Sequence, residues 1–342
     1  MKHLTSRKML ILSYQNILIC GNRYMICLSY FKALADETRV RLMHVLLNHE
    51  LSVNEIVALM DMGQSRISRH LKILTDSGMI ECRRDGAWAF YSAAAAGPAA
   101  RFTHAIRPFF QAETRLARDL EKASDLVKHR GIQSRNFFNA IAGQWNALQQ
   151  KVLGNFDLNG TILGCISDYM GDRADDCRLA VDLGCGTGEL LLGLSKKSGF
   201  AVGIDSSRKM LDQAEKLLSP LASNVELRLG ELEHLPVGNC EADLAVISMV
   251  MHHLPSPERV TLEVARILKK NGLFVIADFD KHTDETMREK YGDRWLGFSP
   301  EDIRTILNNS GFEALNIKTF QVQQSILLNI TTARKRNGFS GT

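Results

Sequence analysis

The sequence predicts two folded domains: an α+β helix-turn-helix domain with a β-hairpin, then an α/β domain built on a doubly wound parallel sheet. Short helical patterns and one hairpin pattern fill the first hundred residues, whereas strand-like and helical runs alternate in the second half. The charge is divided in the same way. Residues 1–130 contain 19 Lys and Arg against 12 Asp and Glu, and the remainder contains 23 against 26. The basic front part therefore predicts a polyanionic partner, with nucleic acid as the leading candidate.

The overall composition excludes several classes of protein. Of 342 residues, 45% are hydrophobic and 23% charged, which is typical of globular domains and not of disordered or collagen-like chains. No run of about 18 apolar residues occurs, so no membrane span is expected. Seven cysteines without a CxxC pair favour reduced thiols and a cytoplasmic protein. Residues 1–24 lack the apolar core of a signal peptide and are expected to be a disordered extension.

Three helices are expected in the first domain, which we place at residues 25–96. Asp36 suits the cap of the first helix. Ser52 and Glu55 have the spacing of a capping box at the start of the second helix. A third helix over residues 64–77 follows a short turn that contains Gly63. A helix, a short glycine turn and a second helix form the helix-turn-helix pattern.

A β-hairpin is expected directly after the third helix. Ile80–Arg84 and Ala87–Tyr91 have strand character, and Asp85-Gly86 suits a two-residue turn. A helix-turn-helix followed by a hairpin is a winged helix, in which the third helix enters the major groove and the wing meets phosphates. The predicted DNA-binding residues are Gln64, Ser65, Arg66, Ser68, Arg69, His70, Arg83 and Arg84.

Residues 29–92 resemble the ArsR/SmtB family of bacterial winged-helix repressors. The resemblance rests on three blocks in the right order: Lys32–Arg39, Glu50–Ile56 and Gln64–Leu74. It implies a homodimer that binds palindromic operator DNA. Metal-sensing members carry two thiols in the segment that matches Glu50–Ile56, where this chain has Ser52 and Asn54. Neither side chain replaces a thiolate for a soft metal ion, so no metal site is expected.

Residues 97–134 are expected to form a connector. Residues 93–100 are small and predict little regular structure, and Pro108 is expected to open a long helix that Gly131 ends. The helix has a narrow apolar stripe, which needs a partner. That partner is either the dimer mate or the winged-helix core of the same chain, and we favour the dimer mate.

An α/β domain is expected over residues 135–335. Five runs are apolar without alternation, as strands buried on both faces are: Leu179–Val181, Ala201–Ile204, Val225–Leu229, Leu244–Ile247 and Leu273–Ala277. Alternating strands and helices predict a doubly wound parallel sheet, in which ligands bind beyond the carboxyl ends of the strands.

The most informative motif is the segment Val181–Gly188, whose glycines follow the pattern GxGxG. Glu189 stands where a dinucleotide-binding fingerprint has its third glycine, and the GK[ST] ending of a phosphate-binding P-loop is absent. Asp205 is expected at the end of the next strand, where a carboxylate can accept both hydroxyls of a ribose. The loop and this acid together predict a nucleoside-containing ligand.

Residues 135–318 resemble the class I S-adenosylmethionine-dependent methyltransferases, on the strength of this loop and Asp205. The resemblance implies a seven-stranded sheet with an antiparallel last strand, and S-adenosylmethionine or S-adenosylhomocysteine as ligand. It assigns the methionine part of the ligand to Asp182, Gly184, Gly186 and Gly188, and it adds Cys185 of the same loop as a further ligand-binding residue. It assigns the ribose to Asp205, the border of the adenosine to Ser206 and Met210, and the adenine to Gly230, Glu231 and Leu232. It places Ser248, Met249 and Val250 along the cofactor. Phe137, Phe138 and Trp145 resemble a lid helix, although core packing explains them equally well.

Two classes of function follow from this combination. In the first, the chain is a transcriptional regulator whose methyltransferase-fold domain binds an adenosyl effector. In the second, it is an active small-molecule methyltransferase with a regulatory DNA-binding domain. The fusion resembles regulators of the methionine cycle that respond to S-adenosylhomocysteine, which favours the first class. Candidate general bases are His252, His253 and Asp278, but their spacing forms no diagnostic pattern.

Overall fold

The computed structural model describes residues 26–110, 113–170, 177–323 and 326–337. The chain divides into two compact units, one ending at His129 and the other beginning at Arg130. The extension predicted for residues 1–24 lies outside the described residues. Within the described ranges, no helix is both long enough and apolar enough to cross a membrane.

The first unit is a helical domain with a small antiparallel sheet. Its described elements are α1 (residues 26–34), α2 (Glu37–Leu46), β1 (Leu51–Ser52), α3 (Val53–Met60), α4 (Gln64–Asp76), β2 (Ile80–Asp85), β3 (Trp88–Ala93), α5 (Gly97–Phe110) and the first part of α6 (Thr114–Ile141). Within the described residues the sheet has three strands in the order β1-β3-β2. The predicted helix-turn-helix and hairpin are confirmed.

The helix caps agree with the sequence pattern. The Arg39 amide donates to Asp36 Oδ1 at 3.0 Å at the start of α2. At the start of α3, the Ser52 amide donates to Glu55 Oε2 at 2.8 Å and the Glu55 amide donates to Ser52 Oγ at 3.4 Å, which completes the capping box. Ile67, Leu71 and Leu74 of α4 are fully buried, so the helix turns its polar face outward.

The connector differs from its prediction at both ends. Pro108 lies in the last turn of α5 instead of opening a helix, and α6 continues through Gly131 to Ile141. Regular structure also begins earlier than expected, at Gly97. Proline lacks an amide hydrogen, so α5 contains Pro108 at the cost of one backbone hydrogen bond to the His104 carbonyl. A glycine inside a helix costs only about 1 kcal/mol relative to alanine, so Gly131 does not have to stop α6.

The apolar stripe of α6 has a partner within the first unit. Leu116 and Ala123 are buried in the same hydrophobic cluster as the winged-helix core. The Arg41 guanidinium of α2 donates to both carboxylate oxygens of Asp119, at 2.6 and 2.9 Å. The stripe therefore packs at least in part on its own chain.

The second unit is an α/β domain. After the end of α6 its described elements are α7 (Trp145–Leu153), α8 (Leu158–Met170), β4 (Leu179–Leu183), α9 (Glu189–Ser195), β5 (Phe200–Asp205), α10 (Arg208–Leu218), β6 (Val225–Leu229), β7 (Ala242–Ser248), α11 (Pro257–Ile267), β8 (Leu268–Phe279), α12 (Thr286–Tyr291), α13 (Pro300–Asn309), β9 (Phe312–Gln323) and β10 (Ile326–Lys335).

The sheet of this unit has, within the described residues, seven strands in the order β6-β5-β4-β7-β8-β10-β9. Strands β4 to β8 are parallel, and β10 pairs antiparallel with both β8 and β9. Hydrophobic clusters bury both faces. The expected doubly wound sheet with an antiparallel last strand is confirmed, and the carboxyl ends of β4, β5, β7 and β8 meet at one edge.

Candidate functional site: a glycine loop, a histidine cluster and an exposed helix

The glycine loop between β4 and α9 adopts a backbone that only glycine accepts readily. Gly184, Gly186 and Gly188 have φ angles of 71°, 52° and 89°. A Cβ atom on Gly184 would lie 2.6 Å from Cγ2 of Val250. The Gly184 amide donates to the Ile204 carbonyl at 2.7 Å, which holds the loop against the end of β5. The GxGxG pattern thus has a steric cause at each of its three positions.

Asp205 ends β5 and joins two backbone segments. Its Oδ2 accepts from the Gly186 amide at 3.0 Å, and its Oδ1 accepts from the Ser207 amide at 2.7 Å. Burial raises the pKa of this carboxyl, and the bonds from Ser207 and Gly186 oppose the rise. A carboxylate offers about four lone-pair sites, so Asp205 can accept further hydrogen bonds from a ligand.

Asp182 is a buried carboxyl without a complete set of partners. It is 1% exposed, and no described residue donates a hydrogen bond to its Oδ2. Burial raises its pKa to about 7, with smaller contributions from the negative charges of Asp205 and Glu189. An unpaired buried carboxyl is costly, and a cationic group beside it would lower that cost. The three acids make this part of the site electronegative.

Side chains from the end of α6 and from α7 cover the loop. Ser207 Oγ donates to Asn139 Oδ1 at 2.8 Å, and Thr187 Oγ1 donates to Asn146 Oδ1 at 3.0 Å. Trp145 Nε1 lies 3.7 Å from the position that a Cβ of Gly186 would take. The rings of Phe138 and Trp145 are 5.6 Å apart and half-buried. Trp145 thus lies over the loop and Phe138 packs against Trp145, and their role as a lid stays a prediction.

The other predicted ligand-binding residues differ in their exposure and in their contacts. The Gly230 amide donates to the Asp205 carbonyl at 3.1 Å, which brings the end of β6 to the same edge. Ser206 and Ser248 are half-buried. Glu231 is exposed and pairs with Arg135. By contrast, the side chains of Cys185, Met210 and Leu232 are buried, and those of Cys185 and Leu232 belong to hydrophobic clusters.

The general-base candidates come together at the carboxyl ends of β7 and β8. His252 Nδ1 lies 2.6 Å from Asp278 Oδ1, and the ring of His253 lies 4.0 Å from that of His252. Asp293, which the sequence did not single out, lies 3.7 Å from His252 Nε2 and 3.8 Å from His253 Nδ1. All four side chains are almost fully buried.

The ionisation of this cluster follows from burial and from its two acids. Burial alone would lower the pKa of His252, but the charges of Asp278 and Asp293 outweigh it and raise that pKa to about 9. Burial and the charge of His252 hold the pKa of His253 well below its usual value. Burial raises the pKa of Asp293 to about 6, against the opposing charge of His252. The two acids therefore favour the protonated form of His252, which makes it a poor proton acceptor.

The predicted DNA-binding side chains fall into two groups. Two of them make contacts within the first unit. His70 Nδ1 lies 3.5 Å from Asp36 Oδ1. The Arg83 guanidinium donates to both carboxylate oxygens of Glu50, at 3.0 and 2.9 Å, and lies 4.5 Å from the ring centre of Phe90. The exposed group consists of Gln64, Ser65, Arg66, Ser68, Arg69 and Arg84.

Several residues at these sites were missed by sequence reasoning. Asn139 and Asn146 hydrogen-bond to the loop region from another element, and Asp293 approaches two histidines across a long stretch of chain. The spacing of residues in the sequence does not predict such contacts between distant segments. Asn139 and Asn146 directly follow Phe138 and Trp145 in the sequence. Their position beside the residues of the predicted lid helix is the sequence feature that points to them.

Comparison with known proteins agrees with this description. Residues 36–81 match the family model described as "Bacterial regulatory protein, arsR family", and residues 181–276 match one described as "Methyltransferase domain". A demethylmenaquinone methyltransferase of Lactobacillus johnsonii is 32% identical over 114 residues, which are 32% of this chain and 47% of that protein. An uncharacterised 37.1 kDa protein in transposon TN4556 of Streptomyces fradiae is 36% identical over 152 residues, 44% of this chain and 43% of that protein.

The chain spans less than half the length of these two curated relatives. Among solved structures, a magnesium protoporphyrin IX methyltransferase from Synechocystis with bound S-adenosylhomocysteine aligns with a TM-score of 0.48 at 18% identity, over 60% of this chain and 99% of that one. The two family matches coincide with the helix-turn-helix and with the strands that carry the glycine loop. This chain therefore combines an ArsR-type helix-turn-helix region with a methyltransferase domain of Rossmann-like fold.

Proposed function

We propose that this protein is a DNA-binding transcriptional regulator whose methyltransferase domain binds S-adenosylhomocysteine or S-adenosylmethionine as an effector. One observation carries the proposal. The polar face of α4, with Arg66 and Arg69, is exposed in the same chain that holds a complete GxGxG loop and its strand-end Asp205. The first feature suits duplex DNA and the second suits an adenosyl ligand.

The loop region fits the adenosyl ligand in two respects. The ammonium of its amino-acid part would supply the missing partner of Asp182, whose Oδ2 has no donor among the described residues. The backbone of the loop, which leaves no room for a Cβ on Gly184, allows close approach of the ligand. Asp205 would then accept the ribose hydroxyls.

S-adenosylhomocysteine is the favoured effector. Both ligands carry the ammonium that would pair with Asp182, so this contact does not distinguish them. They differ at the sulfur atom, which would lie beside apolar side chains such as Met249 and Val250. Met249 is buried and Val250 lies against the loop. Moving a sulfonium cation from water into such surroundings has a desolvation cost, and a neutral sulfur atom does not have this cost. We therefore propose that S-adenosylhomocysteine binds more tightly and releases the protein from DNA.

The alternative is an active small-molecule methyltransferase with a regulatory DNA-binding domain. The match to the demethylmenaquinone methyltransferase supports it, as does the polar cluster at the ends of β7 and β8. Asp278 and Asp293 raise the pKa of His252 to about 9, which makes it a poor proton acceptor and counts against proton-dependent methyl transfer. Formation of S-adenosylhomocysteine from S-adenosylmethionine with an added acceptor would favour this alternative.

The proposal includes a homodimer that binds palindromic DNA. It also includes a cytoplasmic location, where such DNA is accessible. The first unit exposes two large aromatic side chains, Phe31 at 59% and Phe109 at 76%, on α1 and α5. Phe31 packs edge-on against Phe102 of α5, so α1 and α5 are neighbours. Exposed apolar surface of this kind is typical of subunit contacts. Sedimentation of the wild type and of Phe109→Ser tests this part.

The DNA-binding part is tested by enrichment of duplexes from a random pool with the full chain. A dimer is expected to select two related half-sites spaced by about one helical turn, roughly 10 base pairs. Affinity for the selected duplex is expected to fall steeply with salt concentration. Failure to enrich any sequence, or binding that is independent of salt, would contradict the proposal. Calorimetry with both adenosyl ligands tests the effector part separately.

A further inference from the structure

We propose that His252, His253 and Asp293 bind a divalent transition-metal ion, with Zn²⁺ as the best candidate, at the carboxyl ends of β7 and β8. Each residue offers one ligand atom, and these three atoms lie within 4.8 Å of one another. Two imidazole nitrogens and one carboxylate oxygen are a ligand set that Zn²⁺ commonly takes in proteins. This site adjoins the predicted adenosyl site, because the ring of Phe138 packs against both Trp145 and His253, and the metal goes beyond the proposed function.

The distances suit a tetrahedral ion after a small contraction. Asp293 Oδ1 lies 3.7 Å from His252 Nε2 and 3.8 Å from His253 Nδ1. Both distances exceed a hydrogen bond. Around a Zn²⁺ with bonds of about 2.0–2.1 Å, tetrahedral ligand atoms are roughly 3.3 Å apart. Coordination would require each distance to Asp293 to close by about half an ångström, with the two histidine nitrogens, which lie within 4.8 Å of each other, at the same separation of roughly 3.3 Å.

Asp293 supplies an independent reason for a cation. Its side chain is 1% exposed, and within the part of the chain that the structure describes neither carboxylate oxygen accepts a hydrogen bond. Buried carboxylates are normally satisfied by donors or by a metal ion. An ion between Asp293 and the two histidines satisfies it directly.

Asp278 holds His252 in the orientation that a metal ligand requires. The Nδ1 atom of His252 lies 2.6 Å from Asp278 Oδ1, and the His252 amide donates to Asp278 Oδ2 at 3.3 Å. Nδ1 keeps its proton for Asp278, and a metal ion at Nε2, the atom nearer Asp293, would displace the proton that Nε2 carries in the metal-free chain. A carboxylate behind a ligating histidine is the usual second layer of a zinc site. Asp278 is thus a positioning residue and not a ligand.

The surroundings of the site are mostly apolar. The ring of Phe138 packs against His253 at 4.8 Å, and that of Phe279 against His252 at 5.1 Å. His253 Nδ1 lies 3.3 Å from the Gly292 carbonyl, and metal binding would replace this long contact by coordination. Three protein ligands leave a fourth tetrahedral position for water or a small donor ligand.

Sequence reasoning expected no metal in this chain because it looked for thiols in the winged helix. The cluster instead joins the segment after β7 to the segment after α12. No ligand spacing in the sequence predicts that meeting.

The test begins with full-length protein stripped of metal by a chelator and titrated calorimetrically with Zn²⁺. One ion per chain is expected. Asp293→Asn and His253→Ala should abolish binding at this site, and Asp278→Asn should weaken it by about 10–100-fold, the usual effect of removing a second-layer partner. His234→Ala is the matched control, since His234 is an exposed histidine outside the cluster, and it should bind as the wild type does.

Titration of the wild type with Co²⁺ as a spectroscopic probe makes the test independent of how the variants fold. Nitrogen and oxygen ligation should give visible absorption bands without the near-ultraviolet band of a cobalt–thiolate bond. A thiolate band, the absence of any bound ion, or equal Zn²⁺ affinity of folded Asp293→Asn and wild type would overturn the proposal. Calorimetry of the same proteins with S-adenosylhomocysteine reports separately on the adenosyl site, so the two proposals fail independently.

Discussion

The outer face of α4 and the glycine loop after β4 are built in opposite ways. On α4 the predicted DNA contacts are exposed side chains on a helix that three buried residues, Ile67, Leu71 and Leu74, hold in place. In the loop the essential features are positive φ angles and buried carboxylates. An exposed side chain on α4 can therefore change with little effect on stability, whereas changes in the loop alter the fold and the ligand site together.

The largest effect is expected from removing the strand-end acid. Asp205→Ala deletes the acceptor for two ribose hydroxyls and also releases the Gly186 and Ser207 amides. We expect S-adenosylhomocysteine affinity to fall by about 1.5–3 kcal/mol for each charged hydrogen bond lost. Isothermal calorimetry measures it. Asp212→Ala is the control, because Asp212 is a surface carboxylate on α10 paired with Arg208 at 3.2 Å. Wild-type affinity in Asp205→Ala would show that the ribose is bound elsewhere.

The next prediction separates backbone strain from ligand contact. Gly184→Ala places a Cβ 2.6 Å from Val250 at a φ of 71°. The combined overpacking and strain should destabilise the second unit by about 2–4 kcal/mol. Urea unfolding in a Trp88→Phe background reports on this unit alone, since the remaining tryptophans are Trp145 and Trp295.

Gly143→Ala is the matched control for that substitution. A Cβ at Gly143 would meet nothing within 4 Å, and its φ is not positive. We expect no loss of stability, or a gain of about 0.4–1 kcal/mol from the lower entropy of the unfolded chain. Equal destabilisation by both substitutions would mean that the loop conformation is not the cause.

On α4 the expected effect is on DNA and not on the fold. Arg66→Ala should cost about 1–3 kcal/mol of operator binding and relax specificity at one base position. Arg84→Ala should weaken binding to all DNA sequences. It should also reduce the slope of log affinity against log salt concentration by about 1. Gel-shift titrations at several salt concentrations measure both. Lys72→Ala, also on α4 but paired with Asp76 at 2.9 Å, is the control. If Lys72→Ala has the same effect as Arg66→Ala, the helix acts only through its charge.

The smallest effect concerns pH and Asp182. Its pKa of about 7 in the folded chain exceeds that of an unfolded aspartate, about 3.9. Between these values the folded state binds the extra proton, so this contribution to stability is full below about pH 4 and is lost as the pH rises through about 7. The free energy of unfolding should change by at most about 1.4 kcal/mol per pH unit from this group. Urea unfolding of wild type and Asp182→Asn from pH 5 to 8 measures it, and parallel curves for the two would contradict it.

Sequence reasoning succeeded where the signal was local. The GxGxG loop, Asp205 and the capping box at Ser52 each depend on neighbours within a few residues or on the end of one strand. The two family matches confirm the two family resemblances to which these motifs pointed. Asp293 was missed because its neighbours His252 and His253 are distant in the chain.

The connector and the wing show how tertiary contacts override a local pattern. Pro108 and Gly131 are standard boundary signals, but α5 contains the first and α6 continues through the second. Arg83 fits a phosphate contact by its place on the wing, yet Glu50 and Phe90 occupy its guanidinium. Its contact with DNA remains a prediction, and such packing cannot be predicted from the hairpin alone.

The most direct test of the regulator proposal is an operator titration by fluorescence anisotropy with no ligand, with saturating S-adenosylhomocysteine and with saturating S-adenosylmethionine. An effector can shift DNA affinity only if it binds the DNA-competent and incompetent states unequally. We predict that S-adenosylhomocysteine weakens operator binding by about 5–150-fold, the range of typical allosteric coupling, and that Asp205→Ala removes the response. Equal operator affinity under all three conditions would contradict the effector role and leave the methyltransferase alternative.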